Sequence, residues 1–427
     1  MAVVAGVRRF GQLTLPEGWS LVEERDPVVC VIGAGPAGLV VAHLLLRAGI
    51  SFVVLERQDA DGLRARVKAG QIEDRTVELL RPHGLADTIL ERGTRNGVCE
   101  FRADGEAFVL DYGELCRGRC HYIYPQHELV SDWAEALLDA GGDVRFGVRV
   151  VSVEQDEHGA SVEAVFTATG TPLHIRAEVV ACCDGAAGTF SATAGVTSVD
   201  MQHPFRWLTV IAAAPASKQR YIYGMHPRGF AAQARRSDTL TRYMLEVPAA
   251  GGLGDWPDER IWAELQQRLA GTGQPPLEQG EFVERDVLDP RVRVREPMQF
   301  GRVFFAGDAA HLITPAGGKG MNLAVHDAFE LAAGLDERYG KTNDGQRLAA
   351  YSQTRLPIVW RYQEFSNFML GLLHAGAALN QQPAKTLDGP TGETSFAYRI
   401  RRARLDRVIN DPQFSRWFAH AYAGVDE

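Results

Sequence analysis

Apolar positions in this chain form two patterns, short unbroken runs and longer stretches at helical spacing, and each predicts a different element. Val28-Val29-Cys30-Val31-Ile32 is a continuous β-prone run, as a strand buried on both faces requires. It leads directly into Gly33-Ala34-Gly35-Pro36-Ala37-Gly38. Leu39 to Ala48 reads as a helix that Gly49 ends, and Ser51-Phe52-Val53-Val54-Leu55 as a second strand ending at Glu56. Far down the chain, Arg302 to Asp308 again reads as a strand ending in an acid. Pro315 and the glycine-rich Gly317-Gly318-Lys319-Gly320-Met321-Asn322 then open a new helix. From about Asp327 to Leu379, helix formers carry an apolar spacing that includes Phe365, Phe368, Met369, Leu372 and Leu373, and Asn380 to Ser395 reads as a loop.

The first glycine cluster has a physical logic that a bare loop lacks. Gly33 permits the tight turn, Gly35 lets a pyrophosphate approach the backbone at a helix N-terminus, and Gly38 allows close packing of helix on strand. Glu56 is placed to accept a ribose hydroxyl. Strand, helix and acidic terminus in register select a dinucleotide site, but they do not distinguish FAD from NAD.

Composition narrows this picture. At 427 residues the chain exceeds what one core usually supports, so two interleaved domains are expected. A formal charge of −9, from 45 basic and 54 acidic residues, argues against sequence-independent nucleic-acid binding. Six cysteines are too sparse for a disulfide scaffold, and reduced thiols in a cytoplasm fit better. Cys116 and Cys120 are four apart without a second Cys/His pair, so no metal site is assigned. Arg8-Arg9-Phe10 lacks the apolar region of an export signal, and residues 1–26 read as an extension. Pro27 to Leu46 and Phe365 to Ala384 approach membrane-helix length, but Gly, Pro or polar residues interrupt both.

Two glycine-rich elements so far apart suggest a fold that closes around an extended ligand, and here the sequence resembles the class A flavoprotein monooxygenases. The resemblance implies an α/β fold, a Rossmann-like FAD-binding domain (27–100, 125–200, 290–345) interleaved with a β-sheet substrate domain (101–124, 201–289). C-terminal helices (346–427) follow, with a homodimer face as one expectation. By this resemblance Gly33, Gly35, Ala37, Gly38, Glu56 and Arg57 hold the ADP half of FAD, and Gly307-Asp308 contacts the ribityl chain. Backbone N–H groups of Gly318, Lys319, Gly320, Met321 and Asn322 face the flavin pyrimidine edge, where the helix dipole and Lys319 stabilise negative charge. The family's middle fingerprint survives as Asp184-Gly185, but the Ser and Arg that follow it in the family are not kept in Ala186-Ala187-Gly188-Thr189-Phe190-Ser191. Arg66, Lys68, Gln126 and Arg291 match positions that contact FAD or NAD(P)H, with Arg66 and Arg291 assigned to the reductant. Asp59 and Asp61 disfavour a 2′-phosphate and lean the choice toward NADH.

Tyr221 to Phe230, Arg235-Arg236-Ser237 to Arg242-Tyr243, Glu296 to Gln299, Tyr124-Pro125-Gln126 and Tyr422-Ala423-Gly424 narrow the resemblance to the 4-hydroxybenzoate 3-monooxygenase subgroup. It implies that NAD(P)H and O2 drive hydroxylation of a phenolic carboxylate through a flavin C4a-hydroperoxide. Arg236 matches the arginine that pairs with the substrate carboxylate, a task suited to its bidentate fork. Tyr223 matches the tyrosine that hydrogen-bonds the substrate phenol and, with Tyr422, relays its proton; the Pro315 carbonyl faces the same hydroxyl. Blander readings make Tyr223 a half-buried strand residue, Arg235-Arg236 a solvated pair and Tyr422 a frayed end.

Departures from the subgroup point to a remodelled pocket. Ala234 and Met244 stand where a serine and a tyrosine help hold the carboxylate, so two hydrogen bonds of roughly 0.5–1.5 kcal/mol each are absent. A substituted, for example amino-bearing, ring fits that change, with hydroxylation ortho to the phenol as the default and ortho to the carboxylate as the alternative. Asn96 replaces the relay's outer histidine and cannot titrate near neutral pH, which leaves water, His121 or His127 to finish the relay. Rival readings are an FAD-dependent hydroxylase of another phenolic or quinone-type substrate, an oxidase or dehydrogenase, and a non-catalytic binder resembling the GDP-dissociation inhibitors.

Overall fold

The computed structural model describes residues 26–65, 70–186, 188, 196–250, 252–374 and 396–425. The Arg66 and Lys68 expectations, the N-terminal extension and the Asn380 to Ser395 loop therefore lie outside the described residues.

The run at Val29–Ile32 is fully buried because it is a central strand of a six-stranded sheet. The sheet runs in the order Gln299–Phe300, Val303–Phe305, Val179–Cys182, Val29–Ile32, Phe52–Glu56, Val144–Phe146. All neighbours are parallel except the first pair. The helices Pro36–Ala48 and Gly320–Leu335 pack against each other, and each starts at a glycine-rich turn that follows a sheet strand. Gly49, at φ 69°, closes the first helix in the left-handed region as the sequence predicts.

A second sheet of seven strands carries the other half of the site. Its order is Phe282–Leu288, Phe205–Ala212, Thr241–Pro248, Ala231–Arg235, Tyr221–Gly224, Val98–Ala103, Glu106–Asp111. Alternation along these strands divides two cores. Ile222, Tyr243 and Leu245 pack under the Asp258–Arg268 helix, while Tyr223, Ala232 and Met244 face the C-terminal helices. Phe365, Met369, Leu372 and Leu373 of the Tyr351–Leu373 helix are buried in that second core, so the apolar stripe seen in sequence is consumed by internal packing. Among the described residues, no helix is long and apolar enough to cross a membrane.

The last helix, Pro412–Ala423, is held at both ends. Asp411 accepts the N–H groups of Gln413 and Phe414, and Gly424 caps the other end at φ 71°. Phe418 and Tyr422 sit one turn apart and stack with 5.8 Å between ring centroids. Burying Phe418 alone contributes about 1.5–3 kcal/mol. Tyr422 is accordingly fixed in the core rather than frayed.

Candidate functional site

The nucleotide end is shaped by missing side chains. A Cβ on Gly38 would lie 2.0 Å from the Gly33 carbonyl oxygen, and one on Gly33, at φ 99°, would lie 2.5 Å from that of Cys183. A Cβ on Gly35 would meet nothing within 4 Å, so this turn presents bare backbone to open space. Ala37 packs behind it, buried beside Gly307. Glu56 is buried, and its two oxygens accept N–H bonds from Ala34 at 2.8 Å and Gln58 at 2.9 Å. Its carboxylate is thus oriented at the strand end before any ribose arrives. Arg57 follows it on the surface.

The second glycine element converges on the first. A Cβ on Gly307 would sit 3.4 Å from Cβ of Ala37 and 3.0 Å from that of Ala324, so the turn touches both helices. Gly307 N–H donates to buried Asp327 at 3.0 Å, while the half-buried Asp308 carboxylate has no hydrogen bond or ion pair among the described residues. It faces the start of the Gly320–Leu335 helix, whose first turn holds no acidic side chain. An unengaged carboxylate, a bare glycine turn and an open helix N-terminus fit the polyol chain, pyrophosphate and anionic ring of a flavin dinucleotide. Asp184 lies against Gly33, and Gln126 is half-buried at the head of its helix. Arg291 is exposed on the Arg291–Glu296 strand.

The Lys319 charge expected to serve the cofactor is committed elsewhere, and so is the Asn322 side chain. The buried Lys319 ammonium donates to Glu73 at 2.6 Å and to the Tyr422 carbonyl at 2.7 Å, so its charge is compensated inside the protein rather than offered to the flavin. The Asn322 side chain accepts from Glu73 N–H at 2.9 Å and donates to the Gln71 and Gly318 carbonyls at 2.9 and 3.0 Å. It braces the loop. What both positions leave for a ligand is backbone.

Facing this loop, the Tyr223 and Tyr422 hydroxyls hydrogen-bond at 2.8 Å, 199 residues apart in sequence. Both phenols are buried, and desolvation first of all holds their pKa values well above the usual tyrosine range; at Tyr223 the neighbouring Tyr422 adds to the shift, while at Tyr422 the hydrogen bonds with Tyr223 and Gln71 offset part of it. Gln71 donates to Tyr422 at 3.4 Å and also lies against Gly318, linking the pair to the Pro315–Gly320 loop. Pro315 is exposed on that loop, and its carbonyl accepts the Gly318 N–H at 3.1 Å. His121 is buried with Nδ1 2.9 Å from the Tyr112 hydroxyl, and neither it nor His127 hydrogen-bonds either hydroxyl of the pair. Asn96 is turned back on its own backbone, accepting the Val98 N–H at 3.0 Å. Among the described residues, the side chain that hydrogen-bonds the pair is Gln71.

Arg236 lies just beyond the Ala231–Arg235 strand. Its Nε and one terminal nitrogen are buried without a hydrogen-bond partner among the described residues. Burial first, then the nearby Arg242 charge, pulls its pKa down to about 10. An uncompensated guanidinium inside a protein costs stability unless an anion meets it. Ala234 and Met244 line the same face of the sheet, both without a donor.

Sequence reasoning missed Gln71, Glu73, Arg242 and any role for Tyr221. The alternation that singled out Tyr223 also places Tyr221 on its face. Nothing in the sequence marked Gln71, whose position depends on three distant segments meeting.

Comparison with known proteins bears on the family and the fold. A family model described as FAD binding domain matches residues 26–366. The chain is 32% identical over 400 residues to p-hydroxybenzoate hydroxylase of Acinetobacter baylyi, covering 93% of this chain and 95% of that one. It is 28% identical to a 3-(3-hydroxy-phenyl)propionate/3-hydroxycinnamic acid hydroxylase of a Mycobacterium species, over 74% of this chain and 56% of that one. Its fold matches a solved p-nitrophenol 4-monooxygenase from Pseudomonas putida with a TM-score of 0.78, at 22% identity over 94% of this chain and 98% of that one.

Proposed function

This chain belongs to the class A FAD-dependent aromatic monooxygenases, which use NAD(P)H and O2, and from that premise we propose that it hydroxylates an aromatic carboxylate of the 4-hydroxybenzoate type. The observation that carries the proposal is the buried Arg236 guanidinium, two of whose nitrogens have no hydrogen-bond partner among the described residues, just beyond the sheet that bears Tyr223, whose hydroxyl meets that of Tyr422. A cation at one side and a proton-conducting pair at the other match a ring with an acid at one end and a phenol at the other.

Bound FAD would supply the redox chemistry, hydride acceptance from NAD(P)H and transfer of one oxygen atom of O2 to the ring. Gly33, Gly35 and Gly38 would accommodate its pyrophosphate, Glu56 its ribose, Asp308 its ribityl chain and the Gly318–Asn322 backbone its pyrimidine edge. Arg236 pairs with the substrate carboxylate, and the Tyr223 oxygen accepts the phenol proton. Both tyrosines stay neutral, so Tyr223 accepts a proton only as it passes its own to Tyr422. The resulting phenolate is electron-rich ortho to oxygen, which directs hydroxylation there. Exposed Asp61 favours NADH, whereas Asp59 caps its own helix by accepting the Gly62 N–H at 2.7 Å.

Hydroxy- and amino-substituted benzoates should be screened for accelerated NAD(P)H oxidation, with the product identified. The reading expects a 4-hydroxybenzoate-type acid to stimulate most, with the new hydroxyl ortho to the phenol. Stimulation only by phenols or quinones without a carboxylate would transfer the enzyme to another substrate class.

A further inference from the structure

Beside Ala234 and Met244, which carry no donor, a neighbouring strand presents a tyrosine hydroxyl. Tyr221 starts the Tyr221–Gly224 strand, two residues before Tyr223, so both side chains emerge on the same face, with ring centroids 4.7 Å apart. Their hydroxyls meet different partners. Tyr223 reaches Tyr422, while the Tyr221 hydroxyl lies 3.9 Å from Sδ of Met244, a weak acceptor and its only hydrogen-bond partner among the described residues. Tyr223 pairs with Ala232, which pairs in turn with Met244, and Ala234 pairs with Arg242, so Tyr221 shares the sheet face of Ala234 and Met244. Arg242 has no ion pair among the described residues. Both arginines act on Tyr221 electrostatically, and desolvation places its pKa at about 12, so it is a neutral donor in a positive field.

We infer that Tyr221 donates its hydroxyl hydrogen to the substrate's acid group, beside Arg236, and thereby replaces the donors missing at positions 234 and 244. The inference rests on the aromatic-acid reading and extends it to a specificity residue. A hydroxyl bonded to a buried carboxylate forms a charge-assisted bond, which a neutral amide at the same place does not reproduce.

The test is a titration of the FAD-loaded enzyme with 4-hydroxybenzoate and with 4-hydroxybenzamide, read by perturbation of the flavin spectrum. Wild type, Tyr221→Phe and Arg236→Ala are compared. Tyr221→Phe should weaken 4-hydroxybenzoate at least tenfold and the amide less than twofold, while kcat on saturating acid changes less than KM. Equal weakening of both ligands, or none, overturns the inference. Tyr221→Leu reads the same discrimination should the phenylalanine variant lose FAD. If wild type binds neither ligand, or Arg236→Ala has no effect, the aromatic-acid reading itself fails. If Arg236→Ala abolishes acid binding while Tyr221→Phe does nothing, only the role of Tyr221 fails.

Discussion

The two ends of this site recognise their ligands by opposite means. At the nucleotide end the decisive positions are glycines, and what matters is the backbone exposed where a Cβ would collide with Gly33 or Cys183. At the proposed substrate end the positions are side chains from separate segments: Tyr223 on a strand, Tyr422 on the last helix with its hydroxyl against that of Tyr223, and Arg236 just beyond a neighbouring strand. A site built from bare backbone is local and tolerates no addition. A site built from side chains is dispersed and can be retuned by single substitutions.

The largest effect that would break this contrast is at Gly38. Gly38→Val places side-chain atoms inside the space of the Gly33 carbonyl and should cost about 3 kcal/mol or more. The purified protein should be colourless or unfolded. Retention of yellow FAD at wild-type stoichiometry would show that close packing of helix on turn is dispensable.

Lys319 lies where the two ends meet. Lys319→Met leaves buried Glu73 without its cation and should destabilise the protein by about 3–5 kcal/mol in denaturant titration. Adding Glu73→Gln should recover much of that loss. No recovery would mean that the bond from Lys319 to the Tyr422 carbonyl, not the ion pair, carries the stability.

Arg236→Ala acts at the substrate end alone. It should retain FAD yet lose about 2–5 kcal/mol of affinity for the aromatic acid, read by spectral titration. Loss of FAD as well would show that the two ends are not separable.

The smallest expected effect is in pH. His121 and His374 are buried, and desolvation holds both pKa values well below 6.5. Above about 6.5, folded and unfolded chains both carry these imidazoles neutral. Below it the unfolded chain binds protons that the folded chain refuses, so stability falls as pH drops, by at most ~1.4 kcal/mol per histidine per pH unit. Melting temperature should be level near neutrality and decline below about pH 6.5. A flat profile down to pH 5 would show that these histidines titrate normally.

The same contrast explains what was legible in the sequence. Gly33, Gly38 and Glu56 announce themselves because strand, turn and helix follow one another within one short segment, and the observed elements match that reading closely. Tyr223, Arg236 and Tyr422 were legible only through resemblance, since their roles depend on segments that the fold brings together. Lys319 was misread because its charge looks available until buried Glu73 is seen beside it. Gln71 carried no signal, being a lone amide at the start of a three-residue strand. Tyr422 looked frayed by position alone, whereas Asp411, Gly424 and the stacking of Phe418 fix it.

The central claim is that this pocket transfers oxygen to an aromatic acid. The most direct measurement is turnover of 4-hydroxybenzoate-type acids with NAD(P)H under ¹⁸O2, followed by mass spectrometry of the product. The account predicts one ¹⁸O atom in the ring of a hydroxylated acid, none from labelled water, and close coupling of NAD(P)H consumed to product formed. Release of hydrogen peroxide in step with NAD(P)H, with every tested acid recovered unlabelled, would contradict it.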